Sequence, residues 1–419
     1  MIVEIAPKKL MGEMKILSSK SDGHRLLICA ALGDKKTEVK INNESEDIDA
    51  TINCLSALGA EFKKIKGGYE VIPLKEILEY AQINPGESGS TLRFLLPVTA
   101  ALVKRAYFTG KGRLPERPLE DLQVEMKKNG VSFSNKFLPF YTEGILKSGI
   151  FKFPGNVSSQ YISGILLAAP LLKGKVTIEI DGKLESSSYV DMTIDSLKKF
   201  GVEVVREAKG YTVESSGYKS PGTVEAEGDF SNGAFFLAAG ALSGPVTVKG
   251  LSKNTLQGDA KIIDILEARG AILKKNDGLT FSRGEENSVD VDLSQTPDLL
   301  PILAIVAAFS KGQSRFYNGK RLKLKETDRL KTTAKMIKDL GGRAEVTEDG
   351  LIVEGTGLKG GRTSSFADHR IAMAASIASC RAEESIIIER AEAVNKSYPN
   401  FFEDLKKIGG DVNVINIRE

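Results

Sequence analysis

The chain is poor in the residues that cross-link, hold metals or titrate near neutrality, with three Cys and two His in 419 residues. Cys29, Cys54 and Cys380 are odd in number and lack CxxC spacing, which argues against a disulfide frame or a zinc site. Cys29 and Cys380 fall in apolar helical runs and Cys54 just before Leu58, so all three read as buried bystanders. His24 and His369 each neighbour an Arg, which discourages the imidazolium form, and no Cys or carboxylate ligand set accompanies them. No metal and no other cofactor is expected. No apolar run reaches the roughly 18 residues of a membrane span, and MIVEIAPKKL lacks a signal-peptide core, so the expectation is a cytoplasmic enzyme without membrane contact. An excess of one charge is missing too: 58 basic against 55 acidic side chains leave +3, too little to displace counterions from nucleic acid. Low-complexity stretches and long Pro/Gly linkers are absent, so any hinge is short.

What the chain does have is a repeat. A short helical pattern runs into Gly and then a β-type segment six times, ending at Gly59, Gly130, Gly201, Gly270, Gly341 and Gly409, at spacings of 71, 71, 69, 71 and 68 residues. Each copy has a second half, in which a polar residue precedes an apolar helical run: Ser21, Ser88, Ser158, Ser231, Asp298 and Asp368. Ser and Asp at such places read as N-caps, because their side-chain oxygens accept an orphan N–H of the first turn. Each copy thus predicts two helices laid on strands such as Val176–Ile180, Val246–Val248 and Ile386–Glu389. A unit of this size cannot close its own core, so neighbouring copies must pack together, and 419 residues divide naturally into two domains of three copies.

The caps carry more than caps need. Lys20, Ser21 and Arg25 decorate the first, Gly89 and Arg93 the second, Ser158, Ser159 and Gln160 the third, and His369 and Arg370 the last. Helix N-termini present free N–H groups and the positive end of the dipole, so they bind anions. A Ser or Asp there is by itself only a cap. Basic residues returning at one repeat position point further, to a small and multiply anionic substrate.

Three more segments stand out. In Lys325-Glu326-Thr327-Asp328-Arg329 two readings are open. In one, Thr327 caps a helix and Glu326 pairs with Arg329 on its surface, worth well under about 1 kcal/mol. In the other, Lys325 and Arg329 hold an anion and Glu326 is a carboxyl acid, although flanking cations favour its ionised form. Lys111 to Pro118 reads either as an ordinary surface loop or as a stiff turn whose prolines present Arg117, and Asn395 to Pro399, opening the last helix, offers Lys396 on similar terms.

Together LSSKSDGHRLL, GESGSTLRFL, LPERPLEDL, SSQYISGILLAAPLL, LKLKETDRL, FADHRIAMA and NKSYPNFFEDL resemble, in order and spacing, the 5-enolpyruvylshikimate-3-phosphate synthases, a branch of the enolpyruvyl transferases, over nearly the whole chain. The resemblance implies an α/β (α+β) fold of two similar domains, each of three βαβαββ repeats with inward-facing helix N-termini. Residues 20–227 would form the first domain, and 1–19 plus 228–419 the second. It implies transfer of the enolpyruvyl group of phosphoenolpyruvate to the 5-hydroxyl of shikimate 3-phosphate, through a tetrahedral intermediate, by a monomer. Lys20, Ser21, Arg25, Ser158, Ser159, Gln160, Ser186, Asp298 and Lys325 would then contact shikimate 3-phosphate. Phosphoenolpyruvate would meet Lys20, Gly89, Arg117, Gln160, Arg329, Arg370 and Lys396. Asp298 would be the base for the 5-hydroxyl and Glu326 the acid toward the methylene carbon, with Lys20 and Lys325 beside them; Tyr189 would border the shikimate ring. The family chemistry suits these residues, since both substrates carry phosphate and carboxylate, and protonating an enol ether needs an acid at carbon and a base at oxygen.

Departures are modest. Glu87-Ser88 stands where Asn-Ala is frequent, Ser90 where Thr is usual, and Arg321 where some members carry Asn, which leaves its phosphate contact open. Retained Gly89 implies sensitivity to glyphosate. The sister activity on UDP-N-acetylglucosamine typically uses a loop Cys, and none lies in Lys111 to Pro118. A non-catalytic repeat protein binding polyanions through its basic helix ends is the rival of another class.

Overall fold

The computed structural model of the chain describes residues 1–76, 78–156 and 158–415. These residues hold six four-stranded sheets of one design. Tyr80–Ile83 pairs parallel with Arg105–Phe108, which pairs antiparallel with Phe140–Glu143, itself antiparallel to Ser132–Phe133. The helices Gly89–Leu102 and Glu120–Lys128 lie between these strands in sequence, so the unit is βαβαββ. The same order recurs in the sheets begun by Ile150–Pro154 and Asp290–Asp292.

The other three sheets are completed by strands distant in sequence. Thr223–Glu225 lies parallel to Thr37–Lys40, Gly12–Lys15 lies parallel to Val246–Lys249, and Ile2–Ala6 runs antiparallel to both Ile386–Glu389 and Asp411–Ile415. The chain forms two compact units, Met1–Leu17 with Glu227–Glu419, and Ser18–Ala226. Each has its own hydrophobic core.

The six glycines end six helices with φ between +74° and +104°, the left-handed conformation that lets the chain leave a helix without a Cβ clash. The remaining helices make the cores. Leu300–Ala308 is apolar on every side and buried along its whole length, as is nearly all of Phe230–Leu242 and His369–Ala378, and the three pack on one another. In the other unit Ser159–Ala168 approaches Gly89–Leu102 closely enough that a Cβ on Gly164 would lie 2.2 Å from the Arg93 carbonyl oxygen. Cys29, Cys54 and Cys380 are buried, and burial pushes their thiols up, those of Cys54 and Cys380 to about 12. Among the described residues no helix is long and apolar enough to cross a membrane.

Four expected caps move. Ser88, Ser158 and Asp368 do cap their helices, but Ser19 replaces Ser21, Asp229 replaces Ser231, and Asp328 replaces Thr327. Each true cap lies just outside the helix and reaches forward to an N–H of the first turn, whereas Ser21 and Ser231 already have helical backbone. Asp298 is not a cap. It sits in the 3-10 turn Pro297–Leu299, and the α-helix starts only at Leu300. Pro301, which stands three residues on, lacks the N–H that a cap at Asp298 would satisfy.

Candidate active site

Within Ser18–Ala226, three helix N-termini are tied together by side chains. Lys20 opens the first helix and its Nζ lies 2.7 Å from Asp47 Oδ2. Buried His24 shares a hydrogen bond of 2.7 Å with Thr51 Oγ1, which meets Thr91 Oγ1 at 2.7 Å, and Thr91 donates to the cap oxygen of Ser88 at 2.8 Å. Gln160, in the first turn of the third helix, donates from Nε2 to Ser90 Oγ at 2.8 Å and accepts at Oε1 from Arg93 at 3.2 Å. Arg25 lies beneath the first turn and donates to Ser21 O, Thr193 Oγ1 and Tyr189 O, while Thr193 donates on to Ser163 of the third helix. Burial lowers the Arg25 guanidinium to about 10, which leaves it charged at neutral pH. Ser186 precedes the helix Ser187–Lys199 in a left-handed conformation at φ +53°.

Gly89 is glycine for lack of room. A Cβ there would lie 2.5 Å from Arg93 Nη1 and 2.6 Å from Arg117 Nη1. Arg117 follows the 3-10 turn Leu114–Glu116 in extended backbone, so the proline-framed segment is a stiff turn whose guanidinium reaches Gly89.

In the other unit the organising group is Arg329. It is 1% exposed and touches three carboxylates: Nη1 donates to Asp298 Oδ1 at 2.7 Å, Nη2 to Glu326 Oε2 at 2.6 Å, and Nε to Asp368 Oδ2 at 2.8 Å. Burial alone would lower its pKa, but Asp368, Glu326 and Asp298 reverse that and raise it. Asp298 collects two further cations, Lys325 at 3.2 Å and Arg370 at 3.3 Å. Burial alone would raise the Asp298 carboxyl; Arg370, Lys325 and Arg329 outweigh it and hold the group well below the usual carboxylate range. The pair of Glu326 and Arg329 is not a surface pair: Arg329 is buried and Glu326 half-buried. Asp368 is aimed by Phe366 and Ala367, both left-handed at φ +53° and +62°, whose N–H groups donate to Ser364 Oγ and Ser365 Oγ. Lys396 is buried in the 3-10 turn Ala391–Lys396, which packs on the helix beginning His369-Arg370, and Arg321 donates to Ser294 O at 2.9 Å.

Three features of these clusters escaped the sequence reading: Asp47, the carboxylate role of Asp368, and Asp259. Asp259 is buried, accepts from Ser231 Oγ at 2.5 Å through Oδ2, and has no partner for Oδ1. Burial first, and then the charge of Asp298, push its carboxyl up to about 6 against the pull of Arg370. Nothing local distinguishes it from a surface Asp.

The profile of the EPSP synthase family, described as 3-phosphoshikimate 1-carboxyvinyltransferase, matches residues 5–405. The 3-phosphoshikimate 1-carboxyvinyltransferase of Clostridium acetobutylicum is 42% identical over 427 residues, covering 100% of this chain and 99% of the relative. That of Brachyspira hyodysenteriae is 40% identical, covering 98% of this chain and 100% of the relative. The solved EPSP synthase of Acinetobacter baumannii superposes with a TM-score of 0.80 at 25% identity, over 99% of this chain and 100% of that one. The enolpyruvyl transferase NikO from Streptomyces tendae shares the fold at 15% identity, with a TM-score of 0.78 over 98% of each chain. The fold is that of the enolpyruvyl transferases. More narrowly, the chain belongs to the EPSP synthase family, and is a transferase with 3-phosphoshikimate 1-carboxyvinyltransferase activity in the shikimate pathway of aromatic amino-acid biosynthesis. That family uses phosphoenolpyruvate and shikimate 3-phosphate.

Proposed function

We propose that the two clusters divide the work of the family reaction by charge. Lys20, Ser21, Arg25, Ser158, Ser159, Gln160 and Ser186 contact shikimate 3-phosphate, and Lys20, Gly89, Gln160 and Arg117 contact phosphoenolpyruvate. In the other unit Arg329, Arg370 and Lys396 hold anionic groups of phosphoenolpyruvate, Asp298 and Lys325 contact shikimate 3-phosphate, Asp298 is the base and Glu326 the acid. The observation that carries this reading is the crowding of Asp298 by Arg329, Lys325 and Arg370. A carboxylate so held is fully ionised but a weak base. An incoming carboxylate or phosphate competes for the same cations, releases Asp298 from them, and raises its basicity when the 5-hydroxyl arrives. The hydroxyl oxygen then bonds to C2 of phosphoenolpyruvate while its proton passes to Asp298 and C3 gains a proton from Glu326. Glu326 then takes a proton back from C3 as the C2–O bond to phosphate breaks, and the departing phosphate receives the proton held by Asp298.

We read the two compact units as the chain's two domains, and the chain as a cytoplasmic monomer that takes no cofactor. Phosphate release from phosphoenolpyruvate, with shikimate 3-phosphate, UDP-N-acetylglucosamine or no acceptor, tests the activity. Release is expected with shikimate 3-phosphate alone, and its absence would overturn the reading. Asp298→Asn and Glu326→Gln are each expected to lower kcat by about 10²-fold or more, with thermal melting still cooperative; near-normal rates would make both residues structural.

A further inference from the structure

Gln160 and Arg117 are useful to phosphoenolpyruvate only if each is held in one orientation, and one buried residue touches what orients both. Arg93 Nη1 lies 3.2 Å from Gln160 Oε1 and 3.3 Å from Gly89 O, and Nη2 lies 3.5 Å from Pro118 O. A guanidinium has only donors, so it fixes the amide of Gln160 with oxygen inward and leaves Nε2 to donate to Ser90 Oγ, 2.8 Å away. The Pro118 carbonyl next to Arg117 is gripped a second time by the hydroxyl of Tyr161 at 2.5 Å, and the Tyr161 ring lies 5.8 Å from the Arg93 guanidinium. Gly89 completes the arrangement, because the space a Cβ would fill is taken by both guanidinium groups.

We infer that Arg93 is a positioning residue for phosphoenolpyruvate, locking the amide of Gln160 and the Arg117 turn against Gly89. The inference rests on the phosphoenolpyruvate assignment made above for Gly89, Gln160 and Arg117. Lys in its place keeps the charge but not the fork that reaches two carbonyls and an amide at once.

Steady-state kinetics of Arg93→Lys and Arg93→Gln test it, with both substrates varied. Each is expected to raise KM for phosphoenolpyruvate about tenfold and KM for shikimate 3-phosphate distinctly less, since of the groups Arg93 holds Gly89 and the Arg117 turn meet phosphoenolpyruvate alone and Gln160 meets both. In a double-mutant cycle, Gln160→Ala is expected to cost markedly less in the Arg93→Gln background than in the parent. Equal changes in both KM values, or strictly additive effects, would overturn the inference. Should both Arg93 variants lose cooperative melting, Tyr161→Phe replaces them, since it removes the other hydrogen bond to Pro118. A KM for phosphoenolpyruvate raised about threefold supports the inference, and an unchanged one overturns it. Absence of acceptor-dependent phosphate release in the parent would instead sink the assignment on which this one rests.

Discussion

Gly89 is the residue at which a single methyl group reports on the site. Its backbone is ordinary and its constraint is purely steric, from the guanidinium groups of Arg93 and Arg117. These are the ends of long side chains, so Gly89→Ala is tolerated by the fold and relieved by moving Arg117 outward. KM for phosphoenolpyruvate is then expected to rise about tenfold, and inhibition by glyphosate to weaken by at least as much, with kcat changed far less. Competition kinetics in the parent and variant check this, and inhibition unchanged by the methyl group would show that glyphosate does not use this space. At the same scale some residues were legible in the sequence and others were not. Lys20 and Arg370 stand out because basic residues return at helix starts, where a cap alone needs only Ser or Asp. Asp259 sits inside a mixed run, and its meaning comes from contacts with residues far along the chain.

Among elements, the helices that carry functional residues at their N-termini need something at the other end. Arg269 supplies it in the Glu227–Glu419 unit. It is fully buried and donates to Ala241 O at 3.3 Å, in the last turn of Phe230–Leu242, to Phe309 O at 3.1 Å, just past the end of Leu300–Ala308, and to Ser310 Oγ at 3.0 Å. Burial lowers it to about 10, so it remains a cation at neutral pH, matched to two helix C-termini and balanced by Glu286 at 3.7 Å. Arg269→Met leaves those carbonyls without a donor and a carboxylate short of a partner, at a cost of about 3 kcal/mol, or about 10 °C in Tm. Calorimetry checks the loss; kcat of the folded variant at 20 °C is expected to stay near the parent's, since Arg269 belongs to neither proposed cluster. The helix ends themselves were readable: six glycines stop six helices because only a left-handed residue can turn the chain there. The strand partners were not. Nothing local in Ile2–Ala6 says that it will lie between Ile386–Glu389 and Asp411–Ile415, nearly four hundred residues away. Nor does Asp298 reveal that Pro297 and Pro301 hold it in a 3-10 turn outside the helix it precedes.

For the molecule as a whole, net charge is too small to set how stability follows pH, so a few buried groups decide it, and the two compact units respond in opposite senses. In Ser18–Ala226, burial lowers His24 from 6.5 to about 3, with Lys20 and Arg25 pushing the same way and Asp47 opposing. The unfolded chain therefore binds a proton that the folded unit refuses, and stability is lost as pH falls through 6.5 toward 3, by about 2 kcal/mol at pH 5. In the other unit Asp259 rises from 3.8 to about 6, so the folded state holds a proton that the unfolded chain releases. Its ionisation costs about 3 kcal/mol at pH 7, of which about 1 kcal/mol is recovered at pH 5. Asp298 does not enter this window, because its folded carboxyl lies below the ordinary value of 3.8. Hydrogen exchange followed by mass spectrometry, read separately on peptides of each unit, should show the first unit opening more readily at pH 5 than at pH 7 and the second less readily. His24→Asn, which keeps a partner for Thr51, is expected to abolish the first trend and leave the second. Asp259→Asn keeps the acceptor for Ser231, removes the buried charge, and is expected to raise Tm at pH 7 while flattening the second trend. If both units moved together and neither substitution separated them, surface charge rather than these two buried groups would govern the acid response.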